Sequence, residues 1–246
     1  MNRILFEPCE IADGVASCDG VRASHILSVL HGEVGQILKT GEVDGPIGTG
    51  EIVGISGEGA SPIVRVRVNH DEKGLEPWCD LVLAPPRPRV MKRLLPQLAA
   101  LGVGTIVLVG AKKVEKDFWG ATLLKEENYR PLLVDGLMQS GTSALPRLLV
   151  RRNFRAFVRD ELDGLFPSRD RVVAHPYGAS RVRSGFAAGG RLLLAVGPEG
   201  GWTDEEVELL ESHGFARYSL GPRILRTDTA VVALLARLER NPSMGD

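Results

Sequence analysis

Residues 192–206 have the sequence LLLAVGPEGGWTDEE, and this stretch predicts the fold of most of the chain. Five apolar residues make a short strand suited to the middle of a parallel sheet, and a glycine-rich loop follows at once. Thr203 stands three residues before Glu206, which is the spacing of a capping box at a helix start. A strand, a glycine loop and a helix in this order are typical of α/β domains, in which ligands bind at the carboxyl ends of strands. The alternative is a tight turn that binds no ligand.

A second segment of the same kind follows at residues 218–230, YSLGPRILRTDTA. Its loop carries apolar Ile224 and Leu225 next to Arg226, whose permanent positive charge suits a phosphate or carboxylate. An apolar helix is predicted over 230–238. Two such loops close together in sequence are predicted to form the walls of one pocket.

The alternation of short apolar strands with amphipathic helices begins near residue 80 and predicts a mainly parallel sheet. The predicted strands are 81–84, 105–109, 148–150, 172–175, 192–196 and 217–220. A helix is predicted over 90–101, because leucines recur on one face, and Gly102 is expected to end it. Pro96 lies inside this helix and is expected to kink it or delay its start.

The N-terminal part has a different pattern, with short strands broken by glycine. Strands are predicted at 34–38, 50–55 and 63–68, which form a small β unit, expected to be a barrel. A polar stretch at 72–77 is the predicted linker. The domains are therefore predicted as residues 1–75 and 76–246.

The composition is that of a folded, soluble protein: 43% of the 246 residues are hydrophobic and 25% are charged. The 5% aromatic content argues against base stacking as the main mode of recognition. Cys9, Cys18 and Cys79 form no CxxC pair, and the five histidines lack metal-ligand spacing, so neither a disulfide framework nor a metal site is expected. No apolar run approaches the ~20 residues of a membrane span, so a cytoplasmic location is expected.

The net charge of −1 hides an uneven distribution. Residues 1–80 contain 6 Lys+Arg against 13 Asp+Glu, whereas residues 81–155 contain 13 against 5. A local excess of positive charge attracts an anionic partner even in a nearly neutral chain. The alternative, solvated helix faces with no such partner, is equally compatible with the counts.

Several cofactor and catalytic motifs are absent from the sequence. There is no GxxxxGK[ST], no GxGxxG after the first α/β strand and no GxSxG elbow. Residues 45–54 are glycine-rich but lie in the β unit, where hairpin turns explain them better. ATP, a Rossmann dinucleotide and serine hydrolysis therefore have no specific support.

The two motifs at 196–206 and 219–230, in this order, closely resemble the C-terminal signature of the 16S rRNA uracil-N3 methyltransferases. Residues 25–30, HILSVL, and the glycine-rich stretch that follows are similar to the N-terminal PUA-like barrel of that family. The resemblance thus covers nearly the whole chain. It implies an α/β SPOUT-type methyltransferase domain with a C-terminal trefoil knot, which periodicity alone never predicts.

The same resemblance implies S-adenosylmethionine as the cofactor, 16S rRNA of the small ribosomal subunit as the partner, and a homodimer. The implied cofactor-binding residues are His175, Gly197, Pro198, Glu199, Gly200, Gly201, Leu220, Gly221, Ile224, Leu225 and Thr229. Basic residues beside the first α/β strand, together with a glutamine in the Gln-Ser segment, are the candidates for RNA contact. They are Arg87, Arg89, Lys92, Arg93 and Gln139.

Three departures from the family pattern indicate a divergent subgroup. Thr142 and His31 each stand where arginine is usual, and Arg87 replaces the lysine of the first loop. The acidic N-terminal part is also unusual for an RNA-holding module, and contact with protein or with a limited RNA face is the alternative.

Methyl transfer to uridine N3 is a direct displacement, so the enzyme must mainly align the reacting atoms. Arg226 is the candidate for stabilising negative charge on the uracil oxygens. Glu199 or Asp228 is the candidate proton acceptor, and the alternative is that each carboxylate only orients amides. Other possibilities are a SPOUT enzyme acting on another RNA or on ribose 2′-oxygens, a non-catalytic RNA-binding protein, and a metabolic enzyme with an anionic substrate.

Overall fold

The computed structural model describes residues 3–57, 62–167, 169–177 and 191–239. The chain forms two compact units. The first is Met1–Glu76 together with Val134–Leu145, and the second is Pro77–Leu133 together with Pro146–Asp246. The segment Val134–Leu145, which the prediction placed in 76–246, thus groups with the first unit.

The first unit contains a six-stranded sheet and one helix. Its elements are β1 (Ile4–Phe6), β2 (Ile11–Ala12), β3 (Val15–Cys18), α1 (Gly20–Ser28), β4 (Ile37–Glu42), β5 (Ile47–Ser56) and β6 (Ile63–Glu72). The strand order is β1-β4-β5-β6-β3-β2, with β1 and β4 parallel and the other pairs antiparallel. Alternating residues of β6 are buried, as in a sheet with one face on a core.

The strand predicted at 34–38 is displaced, and β4 begins only at Ile37. The displacement has a local cause, because Gln36 N donates to the Glu33 carbonyl and Gly35 has a φ of +93°. A turn with a left-handed residue cannot continue a strand. Residues 33–36 therefore form a turn, and the paired strand starts after it.

The segment Val134–Leu145 is fastened to the first unit by Arg3 and Asp44. The Arg3 Nε donates to the Gly141 carbonyl at 3.0 Å, and its Nη1 donates to the Gly48 carbonyl at 2.9 Å. The Asp44 carboxylate accepts a hydrogen bond from the Leu145 backbone N–H at 2.7 Å. These contacts join residues far apart in sequence, so no local pattern predicts them.

The second unit is a parallel sheet of six strands. They are β7 (Cys79–Leu83), β8 (Val103–Val109), β9 (Arg147–Arg151), β10 (Asp170–Ala174), β11 (Leu192–Val196) and β12 (Ala216–Tyr218). Their order is β12-β10-β11-β7-β8-β9. All six predicted α/β strands are confirmed, with ends that differ by at most two residues. Every residue of β7 and β11 is buried, as expected for central strands covered on both faces.

The helices that belong to this part of the chain follow the strands, and the second half of α3 counts with the first unit. They are α2 (Pro88–Ala100), α3 (Glu126–Ser140), α4 (Phe154–Ala156), α5 (Leu162–Leu165), α6 (Asp204–Ser212) and α7 (Thr227–Leu238), with a π-helical turn at Phe157–Glu161 between α4 and α5. The helix predicted over 90–101 is α2, which starts at Pro88 because proline suits the first helical turn. Gly102 follows its end with a φ of +75°, as predicted for a helix stop.

Candidate active site

A cleft of about 480 Å³ lies at the carboxyl ends of β10, β11 and β12. Two loops form most of it: the β11 loop, defined as residues 197–203, and the β12 loop, defined as residues 219–226. The lining segments are 174–177, 196–202, 218–221 and 223–225, with Lys113, Asp204, Thr227, Ala230 and Leu234. The predicted pocket between the two glycine loops is therefore present.

The β11 loop is a tight turn whose glycines serve different purposes. Gly201 N donates to the Pro198 carbonyl at 2.8 Å, and Gly201 has a φ of +71°, which favours glycine. A side chain at Gly197 would lie 3.0 Å from the backbone nitrogen of Trp202. The turn thus brings main-chain groups as well as side chains to the cleft wall.

The predicted capping box at the start of α6 is confirmed. Thr203 Oγ1 accepts a hydrogen bond from Glu206 N, and the Glu206 carboxylate accepts one from Thr203 N at 2.9 Å. Glu206 is only 5% exposed, and its other oxygen accepts a hydrogen bond from Lys112 N at 2.8 Å. One buried carboxylate therefore joins the β11 loop to the loop that follows β8.

Trp202 packs under the β11 loop. Its ring is 5.2 Å from that of Phe154, and the residue is 6% exposed. Its Nε1 is buried and has no hydrogen-bond partner among the described residues. The indole therefore contributes packing to this wall of the cleft.

The β12 loop is ordered by Ser219 and leaves apolar side chains exposed. Ser219 Oγ accepts a hydrogen bond from Gly221 N at 3.1 Å, and Gly221 has a φ of +121°. Ile224 is 76% exposed, and Leu220 and Leu225 are also exposed beside the cleft. Exposed apolar groups around a concave site are typical of ligand pockets.

His175 closes the cleft at the end of β10. Its backbone N–H donates to the Tyr218 carbonyl, which continues the pairing of β10 with β12. Its ring Nδ1 lies 2.7 Å from the Tyr177 carbonyl oxygen, and the two rings meet edge to face at 6.2 Å. The imidazole is thus oriented by its own loop.

The described residues contain no group of three or more His, Cys, Asp or Glu side chains arranged to hold a metal ion. Within the same ranges, the structure has no helix long and apolar enough to cross a membrane.

The family model of the RNA methyltransferase domain matches residues 75–239. The chain belongs to this family. Among curated relatives, ribosomal RNA small subunit methyltransferase E of Treponema pallidum is 32% identical over 240 residues, which cover 96% of this chain and 90% of that protein. The Bacillus subtilis protein of the same name is 30% identical over 142 residues, which are 54% of this chain and 51% of that one.

Two solved structures share the fold of this RNA methyltransferase over nearly its full length. A Legionella pneumophila methyltransferase in complex with S-adenosylmethionine is 26% identical, has a TM-score of 0.75 and matches 96% of both chains. Ribosomal RNA small subunit methyltransferase E of Neisseria gonorrhoeae, bound to S-adenosyl methionine, is 21% identical with a TM-score of 0.75, covering 97% of this chain and 96% of that one.

Ten of the eleven cofactor candidates of the methyltransferase line the cleft. They are His175, Gly197, Pro198, Glu199, Gly200, Gly201, Leu220, Gly221, Ile224 and Leu225. The eleventh, Thr229, is exposed in the first turn of α7 and is not part of the lining.

The two catalytic candidates lie on different loops. Glu199 lines the cleft, with its side chain 48% exposed and one oxygen 4.0 Å from Arg87 Nε. Arg226 directly precedes α7, is exposed, and has no ion pair within the described ranges. Its neighbours Leu225 and Thr227 line the cleft, so Arg226 lies at the rim.

The RNA-contact candidates of the methyltransferase differ in their surroundings. Arg87 Nε donates to Glu115 at 2.9 Å, and this hydrogen bond and charge raise the pKa of Arg87. Arg93 lies 3.4 Å from Asp228. Arg89 and Lys92 have no ion pair among the described residues. Gln139 belongs to the first unit, whereas the other four candidates belong to the second.

Several cleft residues were not among the predictions, notably Lys113, Tyr177 and Asp204. Lys113 follows β8 by four residues, and its Nζ donates to the Gly200 carbonyl at 2.8 Å. The available signal was its position after the carboxyl end of a predicted parallel strand, where site residues concentrate.

Proposed function

We propose that this RNA methyltransferase transfers the methyl group of S-adenosylmethionine to N3 of a specific uridine in 16S rRNA of the small ribosomal subunit. The observation that carries the proposal is the cleft between the β11 and β12 loops, which is lined by ten of the eleven predicted cofactor-binding residues. The 32% identity to a ribosomal RNA small subunit methyltransferase E over 96% of the chain supports the rRNA target.

The cleft suits S-adenosylmethionine in its chemistry. Main-chain groups of Gly197, the Gly200 N–H and the Gly201 carbonyl supply donors and acceptors for polar groups, and Leu220, Ile224 and Leu225 supply apolar contact for an adenine ring. The solved relatives from Legionella pneumophila and Neisseria gonorrhoeae contain this cofactor. The cofactor supplies an electrophilic methyl group on a sulfonium. We assign His175 and Pro198 to the same cofactor-binding surface. Thr229 lies outside the cleft lining, so we assign it no direct contact with the cofactor.

Residues of the cleft and its rim bind the uracil and accept its N3 proton. Arg226, exposed at the rim without an ion pair within the described part of the chain, stabilises the negative charge that develops on the uracil oxygens. Glu199 lines the cleft and accepts the N3 proton. Asp228 is the weaker candidate, because its carboxylate already contacts Arg93 and the Thr229 N–H.

RNA is held by basic side chains beside the cleft. We assign phosphate contact to Arg89 and Lys92, which have no ion pair in the described ranges, and to Arg87 and Arg93, which must exchange a carboxylate partner for a phosphate. Gln139, which belongs to the first unit, is proposed as a separate RNA contact. The proposal includes a C-terminal trefoil knot and an N-terminal PUA-like barrel in the fold. It also includes a homodimer as the assembly and the cytoplasm as the location.

The test is nucleoside mass spectrometry of 16S rRNA from cells with and without the gene. We expect 3-methyluridine to disappear on deletion and to return when purified protein and S-adenosylmethionine are added to small subunits from the deletion strain. The same addition to free 16S rRNA identifies the substrate form. Unchanged 3-methyluridine with loss of a 2′-O-methyl or transfer RNA nucleoside would assign the enzyme to another target, and no change in any nucleoside would indicate a non-catalytic RNA-binding protein.

A further inference from the structure

The loop that follows β8, defined here as the β8 loop (residues 110–116), contacts the β11 loop directly at Gly200 and is connected to Glu199 through Arg87. Lys113 Nζ donates to the Gly200 carbonyl at 2.8 Å. Glu115 holds Arg87, whose Nε is also 4.0 Å from a Glu199 oxygen. In the sheet β7 lies between β8 and β11, so only long side chains bridge the two loops. Lys113 lies outside both sequence motifs, 196–206 and 219–230.

The space beside Gly200 is limited by Lys113. Gly200 is not among the glycines with positive φ, so its backbone conformation suits any residue. A β-carbon at this position would lie 3.0 Å from Cδ of Lys113, which is a tight contact, and 3.4 Å from its Cβ. Gly201 is the opposite case, since it has a φ of +71° and no atom lies within 4 Å of a built β-carbon. A side chain at position 200 would therefore require the stem of Lys113 to shift.

The hydrogen bond from Lys113 also sets the direction of a peptide group in the cleft wall. The Gly200 carbonyl accepts from the ammonium, while Gly201 N, in the same peptide group, donates to the Pro198 carbonyl at 2.8 Å. The plane of the Gly200–Gly201 peptide group is thus fixed by one hydrogen bond at its carbonyl and another at its N–H. Lys112 N, one residue before Lys113, is anchored on the buried Glu206 carboxylate, which keeps the base of the lysine in place.

We propose that Lys113 is a positioning residue of the methyltransferase, and that it holds the Gly200–Gly201 peptide in the orientation that receives the cofactor. The proposal rests on the proposed function for the identity of the ligand. Its structural part, the coupling of Lys113 with Gly200, is independent of any ligand.

The first test is calorimetric titration of the full chain with S-adenosylmethionine. Lys113→Met keeps most of the stem and removes the ammonium, and we expect it to weaken binding about tenfold. The KM for the cofactor rises in parallel while kcat at saturating cofactor stays within about twofold, because binding geometry and not the chemical step is altered. Lys113→Arg keeps a donor and restores most of the affinity. Lys112→Met is the matched control, since the side chain of Lys112 makes no hydrogen bond or ion pair with a described residue, and it binds as the wild type does.

The second test is a double-mutant cycle on unfolding in urea, measured without cofactor. Gly200→Ala is expected to be less favourable for stability in the wild type than in the Lys113→Ala background, because only in the wild type does the new methyl group meet the Lys113 stem. Wild-type affinity in Lys113→Met, or independent effects of the two substitutions, overturns the proposal. Weak binding by Lys113→Met without coupling in the cycle also overturns it, because the lysine then contacts the ligand directly. If the wild type fails to bind S-adenosylmethionine, the proposed function fails, and the cycle still decides the structural part.

Discussion

Arg226 has no carboxylate partner among the described residues, in contrast to Arg87 and Arg93, which each have one. An unpaired guanidinium at the rim is available for a substrate. We expect Arg226→Ala to lower turnover at least about 100-fold, the usual cost of losing a donor to developing negative charge, with little change in cofactor affinity. The assay is 3-methyluridine formation on small subunits, with affinity measured by calorimetry.

Arg237→Ala is the matched control, because Arg237 is an exposed arginine in the last turn of α7, the helix that Arg226 directly precedes. Its turnover is expected to equal that of the wild type. Near-normal turnover of Arg226→Ala would remove Arg226 from the mechanism.

The three cysteines differ in reactivity for a physical reason. Burial raises the pKa of Cys18 to about 11, and burial, with the charge of Asp80, raises the pKa of Cys79. A raised pKa leaves the thiol protonated at neutral pH, and the thiolate is the reactive form. Cys9 is exposed. A thiol reagent at pH 7.5 is therefore expected to titrate one group in the native protein and three after unfolding, and Cys9→Ser should leave none in the native state; a second fast thiol would contradict this.

At the scale of elements, the start of α6 depends on one buried carboxylate. Glu206 accepts hydrogen bonds from Thr203 N and Lys112 N. Glu206→Ala breaks the capping box and leaves two backbone donors without their partner, so we expect a loss of about 2 kcal/mol in the free energy of unfolding. Urea unfolding measures it. Glu208→Ala, at an exposed position of the same helix, is expected to change stability by less than about 0.5 kcal/mol, and equal effects of the two variants would contradict the anchoring role.

In the first unit, α1 is joined to the Pro8–Glu10 turn by the ion pair of Arg22 with Glu10. Burial alone would raise the pKa of Glu10, but the hydrogen bonds from Arg22 and from Glu7 N outweigh it and lower the pKa below its usual value. A carboxyl with a lowered pKa in the folded state stabilises the fold above its unfolded pKa, and this contribution is lost as the pH falls through the folded pKa.

We therefore expect Glu10→Gln to be less stable than the wild type at pH 7, and the difference to shrink once the pH falls below about 4. Thermal unfolding of both proteins across this range is the measurement. Glu33→Gln, at an exposed glutamate of the same unit, serves as the control and should track the wild type. A difference that is constant with pH would show that the Glu10 charge is not involved.

Over the whole molecule, ion pairs reduce the positive charge that is available to bind RNA. Residues 81–155 contain 13 basic and 5 acidic residues. Part of this positive charge is neutralised, since Arg93 pairs with Asp228 and Arg155 with Glu205. Unpaired cations displace condensed counterions when RNA binds, whereas a paired cation must first give up its carboxylate.

RNA affinity is accordingly expected to fall steeply with salt. The slope of log affinity against log salt should lose about one unit in Arg89→Ala or Lys92→Ala, and clearly less in Arg93→Ala. Fluorescence anisotropy with a 16S rRNA fragment measures this. Equal slopes for all three variants, or binding independent of salt, would contradict the assignment of phosphate contacts.

The elements that were predictable depend on neighbours in sequence. The strand Leu192–Val196, the Thr203–Glu206 capping box and the stop at Gly102 follow from local hydropathy and from side-chain to backbone hydrogen bonds. The turn at 33–36 was missed, because a glycine before an apolar run is compatible with a strand until its φ is known.

The parallel α/β unit, the two glycine loops and the family resemblance follow from local sequence patterns, because each depends on residue types at short, regular spacings. The contacts between side chains of distant segments depend on tertiary packing. The joining of 134–145 to the first unit, the pairing of Arg87 with Glu115 and the approach of Lys113 to Gly200 each join residues separated by tens of positions. Such contacts follow from strand order and chain direction, and no local pattern contains that information.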